Sequence, residues 1–513
     1  MVVAISFYLP SLDNPLIWDD EIHVSRVPTM SVADAFSRID DQYRRPVVLL
    51  SYKVQSSLGL GSDGALHSFN VIVHGANAAL LYLLLARIGL PLVAAFAAAL
   101  IFTVHPLQSA AVAYVSGRTD LLALLFTLVA VRLAAATARR TTVDEIVRAA
   151  GVALCVALAA GAKESGLVAG VLAAALWWSR RGEPDRPGLA FPVAALLTTA
   201  AFVVPVVPPA LFDGAGLDLA TRLRGAGTAF ATYVRLLVLP RELHLDRLTT
   251  LGGQAYFFAG VGVALALVWA VVGFVRAPGR VRFGGLALAM LYLPASALVP
   301  VYPAVAARWL FTPEHFMYAP IAAIAAFICL DVKTGIDELA SRYSLARYHP
   351  GAVAVVALSV VVAALSAGPV LARQAVLASA ETAYRNTLAY SPSPRACFNL
   401  GVALLARDQA DEAVSIYERC ARVSPNDSNV FVQLGVAYQR GGKTAEAAFA
   451  YEKALALDSG NTLAWSNYAS LEANKGAYAQ AREKWRKALA IDPEFKPALD
   501  GMAGLEQALP PEL

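Results

Sequence analysis

Charge is scarce in this chain. Of 513 residues only 16% are Asp, Glu, Lys or Arg, against roughly 25% in ordinary soluble domains. Lysine and arginine exceed the acidic residues by only 42 − 38 = 4, too few to argue for a nucleic-acid partner. Four cysteines cannot build a disulfide scaffold. Gly 35 and Pro 28 are ordinary numbers that exclude a collagen-like or linker-dominated chain. The N-terminus lacks the basic start of a signal peptide. Met1–Leu12 is apolar but too short to span, and it reads as the end of a first span whose beginning is missing. What the chain has instead is apolar residue. It is 58% hydrophobic with a mean hydropathy of +0.55, which rules out a wholly soluble or a disordered protein.

The apolar residues fall in runs near the length that crosses a bilayer as helix. They lie at Leu66–Ile88, Leu92–Val104, Leu121–Ala138, Val147–Ala160, Gly166–Trp178, Leu189–Val207, Tyr256–Val275, Gly284–Val301, His315–Leu330 and Gly351–Ser366. Basic residues at alternate ends set the orientation. Arg139, Arg140, Arg148, Arg180, Arg181, Arg276, Arg280, Lys333 and Arg342 share the side expected to be cytoplasmic. Arginines in the 207–254 stretch weaken this bias locally, and within that stretch Phe230–Leu239 reads as a re-entrant or interfacial helix. The expected fold is all-α: a polytopic membrane bundle over 1–370, with a first extracytoplasmic loop at about 13–65, then an α-solenoid over 371–513.

The solenoid is read from a repeat. Asn399-Leu400-Gly401, Gln433-Leu434-Gly435 and Asn467-Tyr468-Ala469 recur every 34 residues, the tetratricopeptide period. Ala413, Ala447 and Ala481 keep the same spacing, as do Tyr417, Tyr451 and Trp485. Small residues let paired helices approach, and aromatics fill the gaps. The expected units are a half repeat at 380–393, repeats at 394–427, 428–461 and 462–495, and a capping helix at 496–508. Their groove would take a peptide segment, or the array would only hold the protein in a complex. Cys397 and Cys420 fall on paired helices of the first full repeat. Bonding in an oxidising compartment is one reading, and small buried thiols at packing positions the favoured one.

Ionisable groups at span ends are costly and therefore candidates for function. They gather on the side opposite the basic loops: Asp19 and Asp20, Tyr43 with Arg44 and Arg45, and His67, Asn70 and His74 on one helix face. His105, Arg118 with Asp120, Lys163 with Glu164, and Glu314 with His315 complete the set. A carboxylate can take a proton from an acceptor hydroxyl, while Arg and His can hold a phosphate. Each member also has a bland reading: an exposed acidic pair, headgroup anchors for Arg45 and Arg118, a neutralising pair for Lys163 and Glu164, a polar seam for His67, Asn70 and His74. His67 and His74 are two turns apart with no third ligand, a weak case for zinc.

As a set these motifs resemble the transmembrane and tetratricopeptide-repeat proteins related to dolichyl-phosphate-mannose protein O-mannosyltransferases, which have the GT-C membrane glycosyltransferase fold. The similarity covers nearly the whole chain. Trp18-Asp19-Asp20 is similar to the family's first-loop acidic motif, and Tyr43 with Arg45-Pro46 to its YRP segment, with Arg44 inserted. His67 to His74 matches an H-x-x-N-x-x-x-H helix start. His105-Pro106 with Gly117-Arg118 and Asp120, and Ala162-Lys163-Glu164, match further segments. Leu293-Pro294-Ala295-Ser296 and the stretch from Glu314 to Pro320 resemble two more. Ala110 and His315 stand where the family often has an acid and an arginine.

The resemblance implies an inverting transferase with Asp19 or Asp20 as base. Arg45, His67, Asn70, His74, His105, Arg118, Asp120, Lys163, Glu164 and Glu314 would bind donor phosphate or substrate. The donor would be a polyprenyl- or dolichyl-phosphate sugar such as mannose, the acceptor a protein or peptide in the repeat groove. A divalent cation at the acidic motif is admitted, with no ligand cluster to support it. Localisation follows as a bacterial inner membrane with periplasmic repeats, or an endoplasmic-reticulum membrane with lumenal ones. Two other readings compete: a non-catalytic membrane scaffold, for which about ten spans are excessive, and a transporter of lipid-linked sugar, which places polar groups at mid-bilayer.

Overall fold

The computed structural model describes residues 2–36, 45–135, 141–180, 188–206, 219–250, 291, 309–343 and 346–508. The span expected at Tyr256–Val275, the one at Gly284–Val301 apart from Leu291, and the Tyr43-Arg44 pair lie outside the described residues. The chain forms two compact units, Met1–Ser379 and Ala380–Leu513. The expected boundary at 370 falls inside a helix that continues to Leu377.

The first unit is helical. In chain order it contains α1 (Val2–Tyr8), α2 (Asp19–Ser25), α3 (Pro46–Ser57), α4 (Asp63–Arg87), α5 (Leu92–Val104), α6 (Ser109–Val112) and α7 (Arg118–Ala134). After these come α8 (Thr142–Ala162), α9 (Val168–Ser179), α10 (Ala190–Val206), α11 (Leu219–Val238), α12 (Tyr318–Arg342) and α13 (Pro350–Leu377). A short antiparallel ribbon pairs β1 (Leu248–Thr250) with β2 (Trp309–Phe311), Leu248 opposite Phe311. The interfacial helix expected at Phe230–Leu239 is longer than its apolar core suggests: α11 begins at Leu219.

Among the described residues four helical stretches are long and apolar enough to cross a membrane: Asp63–Arg87, Thr142–Ala162, Glu314–Arg342 and Pro350–Leu377. A fifth is broken at His105-Pro106, where Leu92–Val104 and Pro106–Val112 bend by 53°. Proline supplies the break, having no amide hydrogen to donate and a ring that crowds the preceding turn. Alanine supplies the packing. Ala130 and Ala134 of α7, Ala159 of α8, Ala169 and Ala173 of α9 and Ala195 of α10 meet in one buried seam with Val152, Val156 and Phe191. Small residues let these helices approach closely. The opposite case is α13, whose Val353, Val360, Val361 and Leu365 stay outward and exposed.

The second unit contains α14 (Ala380–Tyr390) and three helix pairs: α15 (Pro394–Ala406) with α16 (Ala410–Val423), α17 (Ser428–Arg440) with α18 (Thr444–Leu457), and α19 (Thr462–Asn474) with α20 (Tyr478–Ile491). Helix α21 (Lys496–Ala508) follows. Gly401 and Gly435 explain the aromatic spacing. A Cβ on Gly401 would sit 2.3 Å from the Tyr417 ring, and one on Gly435 2.5 Å from the Tyr451 ring. Each ring lies flat against a helix that carries no side chain there. Cys397 and Cys420 are bonded to one another across α15 and α16, their Cα atoms 5.6 Å apart. This overturns the favoured reading of two free thiols: the pairing of the helices points both buried side chains at the same gap.

Gly435→Ala should therefore lower stability by about 1–3 kcal/mol through overpacking. Combining it with Tyr451→Leu should recover part of the loss in thermal unfolding of the full chain. Equal stability of native and Gly435→Ala protein would contradict the close approach.

Candidate functional site

The acidic pair divides its work. Asp20 is fully buried, and its Oδ1 accepts from the Ser116 amide at 2.6 Å. Its Oδ2 accepts from the Val115 amide at 3.3 Å and the Ile17 amide at 3.5 Å. Asp19 is half-buried, and its own amide donates to the Tyr114 hydroxyl at 2.9 Å. The pair is thus clamped to a turn 95 residues away. Trp18, just before it, holds a φ of 59°, an unusual conformation for a bulky residue. The surrounding clamp keeps it there. Burial pushes the Asp20 carboxyl up to about 7, against the downward pull of the Ser116, Ile17 and Val115 hydrogen bonds.

The turn that receives Asp20 is held from the other side by Asn70 and Arg118. Asn70 Nδ2 donates to the Tyr114 and Val115 carbonyls at 3.0 and 3.1 Å, and Tyr52 Oη donates to Val115 O at 3.0 Å. Gly117 permits the tight path, since a Cβ there would lie 2.1 Å from the Ala111 carbonyl oxygen. Arg118 is wholly buried. It donates to Asn70 Oδ1 at 3.1 Å, Ser51 Oγ at 3.2 Å and Leu66 O at 3.1 Å. Its guanidinium carbon sits 4.2 Å from the ring centres of both Tyr52 and Phe69. Arg118 is therefore no headgroup anchor, and each of its three nitrogens donates to a protein acceptor.

Two ion pairs adjoin this core. Lys163 Nζ lies 2.8 Å from both Asp120 oxygens, and both residues are buried. Arg45 Nη2 lies 3.4 Å from both Glu164 oxygens, with Arg45 half-buried. The Phe316 ring stands 5.0 Å from Lys163 Nζ. Two residues before Phe316, buried Glu314 accepts from the His244 amide at 2.6 Å, from Arg247 at 3.1 Å and from Arg373 at 3.4 Å. Burial also holds the His244 imidazole down at about 3.

The histidines divide. His74 accepts from Tyr318 Oη at 2.9 Å through Nδ1 and donates to Thr103 O at 3.0 Å through Nε2. Asn77 also donates to that tyrosine hydroxyl, at 3.0 Å. His105 caps the break after α5: Nδ1 accepts from the Leu107 amide at 3.3 Å and Nε2 donates to Leu237 O at 3.0 Å. His67 is buried. Asp19, Asp20, Asn70 and Arg118 thus form one cluster, and Asp120, Lys163, Arg45 and Glu164 a second. Glu314 has its own arginine pair, and His74 and His105 serve helix contacts. Tyr318 belongs to the Glu314–Pro320 motif, whereas no motif contains Tyr114, Arg247 or Arg373. Their partners lie far along the chain, so no local spacing marks them. Among the described residues no group of three or more His, Cys, Asp or Glu side chains could hold a metal ion.

Comparison with known proteins identifies the C-terminal unit. Tetratricopeptide-repeat family models match residues 394–427 and 428–461. No curated protein matches the chain. Among solved structures, the Arabidopsis OM64 TPR domain is 19% identical, covering 23% of this chain and 96% of that one at a TM-score of 0.22. The first TPR of Spaghetti (RPAP3), bound to an HSP90 peptide, is 21% identical, covering 22% and 91% at 0.22. YrrB, titled a TPR protein with an unusual peptide-binding site, is 21% identical, covering 33% and 88% at 0.23. The C-terminal region is a tetratricopeptide array, and these likenesses concern its fold alone.

Two outcomes follow from the buried charges. Lys163→Met should destabilise the first unit by about 3–5 kcal/mol by leaving Asp120 buried without its cation. The double variant with Asp120→Leu should regain most of this in thermal unfolding of the full chain. For Asp20, the folded carboxyl at about 7 lies above its ordinary 3.8, so the folded state keeps a proton that the unfolded state has lost. Stability should fall as pH rises between those values, by up to about 1.4 kcal/mol per unit, then level off. Asp20→Asn should remove that slope.

Proposed function

We propose that the chain is an integral-membrane glycosyltransferase that moves a sugar from a polyprenyl- or dolichyl-phosphate donor to a hydroxyl of a protein or peptide. The observation that carries this reading is the clamp joining Asp19-Asp20 to the Tyr114–Arg118 turn, in an otherwise apolar helical unit. In the mechanism the half-buried Asp19 is the base. It takes the proton of the acceptor hydroxyl while that oxygen bonds to the anomeric carbon. The carbon–oxygen bond to phosphate breaks with its electron pair leaving on phosphate, and the centre inverts. Asp20 and Arg118 are positioning residues. Arg45, at the edge of the second cluster, meets the phosphate charge, and a divalent cation at the acidic motif is an open addition. Mannose is the sugar that the motif resemblance favours.

The long apolar helices cross the membrane in this reading, and the chemistry is extracytoplasmic. The Cys397–Cys420 bond supports an oxidising compartment for the repeats, periplasmic in a bacterium or lumenal in a eukaryote. The repeats recruit the acceptor. A second reading keeps the array and drops the chemistry: a membrane-anchored scaffold, favoured by the identified repeats.

The test is transfer of label from polyprenyl-phosphate sugars to protein in membranes. Asp19→Asn should abolish transfer with expression unchanged. Asp20→Asn should reduce it by misplacing the base, and Arg45→Ala should raise the donor KM more than it lowers kcat. No transfer by the native chain would favour the scaffold, and full transfer by Asp19→Asn would remove that residue from the mechanism.

A further inference from the structure

A cleft of about 750 Å³ lies in the first unit between α4, α7, α9 and α12. Its lining is apolar but for Thr127, whose hydroxyl donates to Ala123 O at 2.7 Å and is committed to its own helix. Apolar cavities stay dry and take hydrocarbon. The cleft follows α4 from Leu81 to Ile88, α7 from Leu124 to Val131 and α12 from Ala322 to Leu330. Each stretch is about 10–12 Å long at the helical rise, which fits inside one leaflet of a ~30 Å hydrocarbon core. That leaflet is opposite the acidic pair. Asn70, which holds the Asp20 turn, stands about 16 Å before Leu81 along α4. Toward Asn70 the cleft is closed among the described residues, where Leu81, Leu124 and Ala322 are buried. It opens at the far end, beside the half-buried Ile88, Phe327 and Leu330.

Cations stand at the open end. Arg87 ends α4 next to Ile88, is exposed, and makes no hydrogen bond or ion pair among the described residues. Arg132 follows Val131 on α7, and Arg180 Nη1 donates to Ala135 O at 3.1 Å, which joins the end of α9 to that of α7. Lys333 lies one turn past Leu330 and pairs with Asp337 at 2.6 Å. Further out Glu338 and Arg342 pair with each other. Asp331 is the other acid on this part of α12, so cations exceed anions. We propose that the cleft holds one acyl chain of an anionic phospholipid, with the headgroup phosphate at Arg87. On the orientation read from the basic loops, this lipid belongs to the cytoplasmic leaflet. A chain that leaves the bilayer for the cleft exchanges one apolar setting for another, so hydrophobic transfer contributes little. Dispersion contacts with the lining and the phosphate on a basic mouth hold it instead. The tail of the proposed donor fits less well, because its phosphate belongs with the polar clusters, behind the closed end. The site requires helices that span a membrane and no transferase chemistry, so it stands equally on the scaffold reading.

The test is photolabelling of the full chain in phosphatidylcholine nanodiscs. The probe is phosphatidylglycerol with a diazirine near the end of one acyl chain, added as a minor component. Crosslinks mapped by mass spectrometry should fall at Leu81, Leu124 and Ala322, and phosphatidylcholine with the same diazirine should label them weakly. Arg87→Gln should lower labelling about fivefold, the loss expected for one cation at a membrane surface. Ala323→Phe with Ala326→Phe should abolish it by filling the cleft. Ile328→Phe, on the exposed side of the same helix, should leave it unchanged. Equal labelling by the two phospholipids, native labelling in Arg87→Gln or in the double phenylalanine variant, or stronger labelling of the same residues by a diazirine-bearing polyprenyl phosphate would overturn the proposal. Sugar transfer is not read, so a failure here leaves the transferase reading intact, and an absence of transfer leaves the lipid site standing.

Discussion

The arrangement of the polar groups depends on one buried carboxylate. Asp20 accepts backbone amides from Ser116 and Val115 and so ties the N-terminal segment to the turn between α6 and α7. That turn is itself held by Asn70, Tyr52 and Arg118. If the clamp were absent, Asp19 would sit on a free loop, and its distance to any cation of the set would be undefined. A carboxylate with no counter-ion in direct contact is costly to bury. The cost is reduced by backbone donors and by a proton affinity raised toward neutrality.

The same constraint organises the rest of the polar set. In a unit built mainly of alanine, leucine and valine, each buried charge needs a fixed partner. Lys163 has Asp120, and Glu314 has Arg247 and Arg373. Arg118, like Asp20, is held by neutral groups. It has aromatic faces and neutral acceptors in place of a carboxylate. In the proposed transferase Arg118 would then hold shape, and meeting the donor phosphate would fall to the half-buried Arg45.

How much of this was legible in the sequence depended on range. The repeat was legible because Gly401, Gly435, Tyr417 and Tyr451 act within one helical hairpin, where spacing and contact coincide. The apolar helices were legible for the same reason, although α11 extends well before its apolar core because polar residues there still take helical backbone. The motif residues could be picked out, since charge at a span end is rare. Their pairings could not. Asp20 meets amides that any residue carries, Glu314 meets arginines 67 and 59 residues away, and the sandwich of Arg118 between Tyr52 and Phe69 follows from helix packing alone. The disulfide is not decided by the sequence, because buried thiols and bonded cysteines suit the same positions.

The central claim is that the acidic pair belongs to an extracytoplasmic site for a lipid-linked phosphate donor. The most direct measurement replaces Asp19 with cysteine and follows its labelling by a membrane-impermeant maleimide in sealed vesicles of known orientation. Cys155→Ser and Cys329→Ser would remove the other free thiols. The account predicts labelling from the extracytoplasmic face, and protection when polyprenyl phosphate is present. Labelling only from the cytoplasmic face, or labelling that polyprenyl phosphate leaves unchanged, would contradict it.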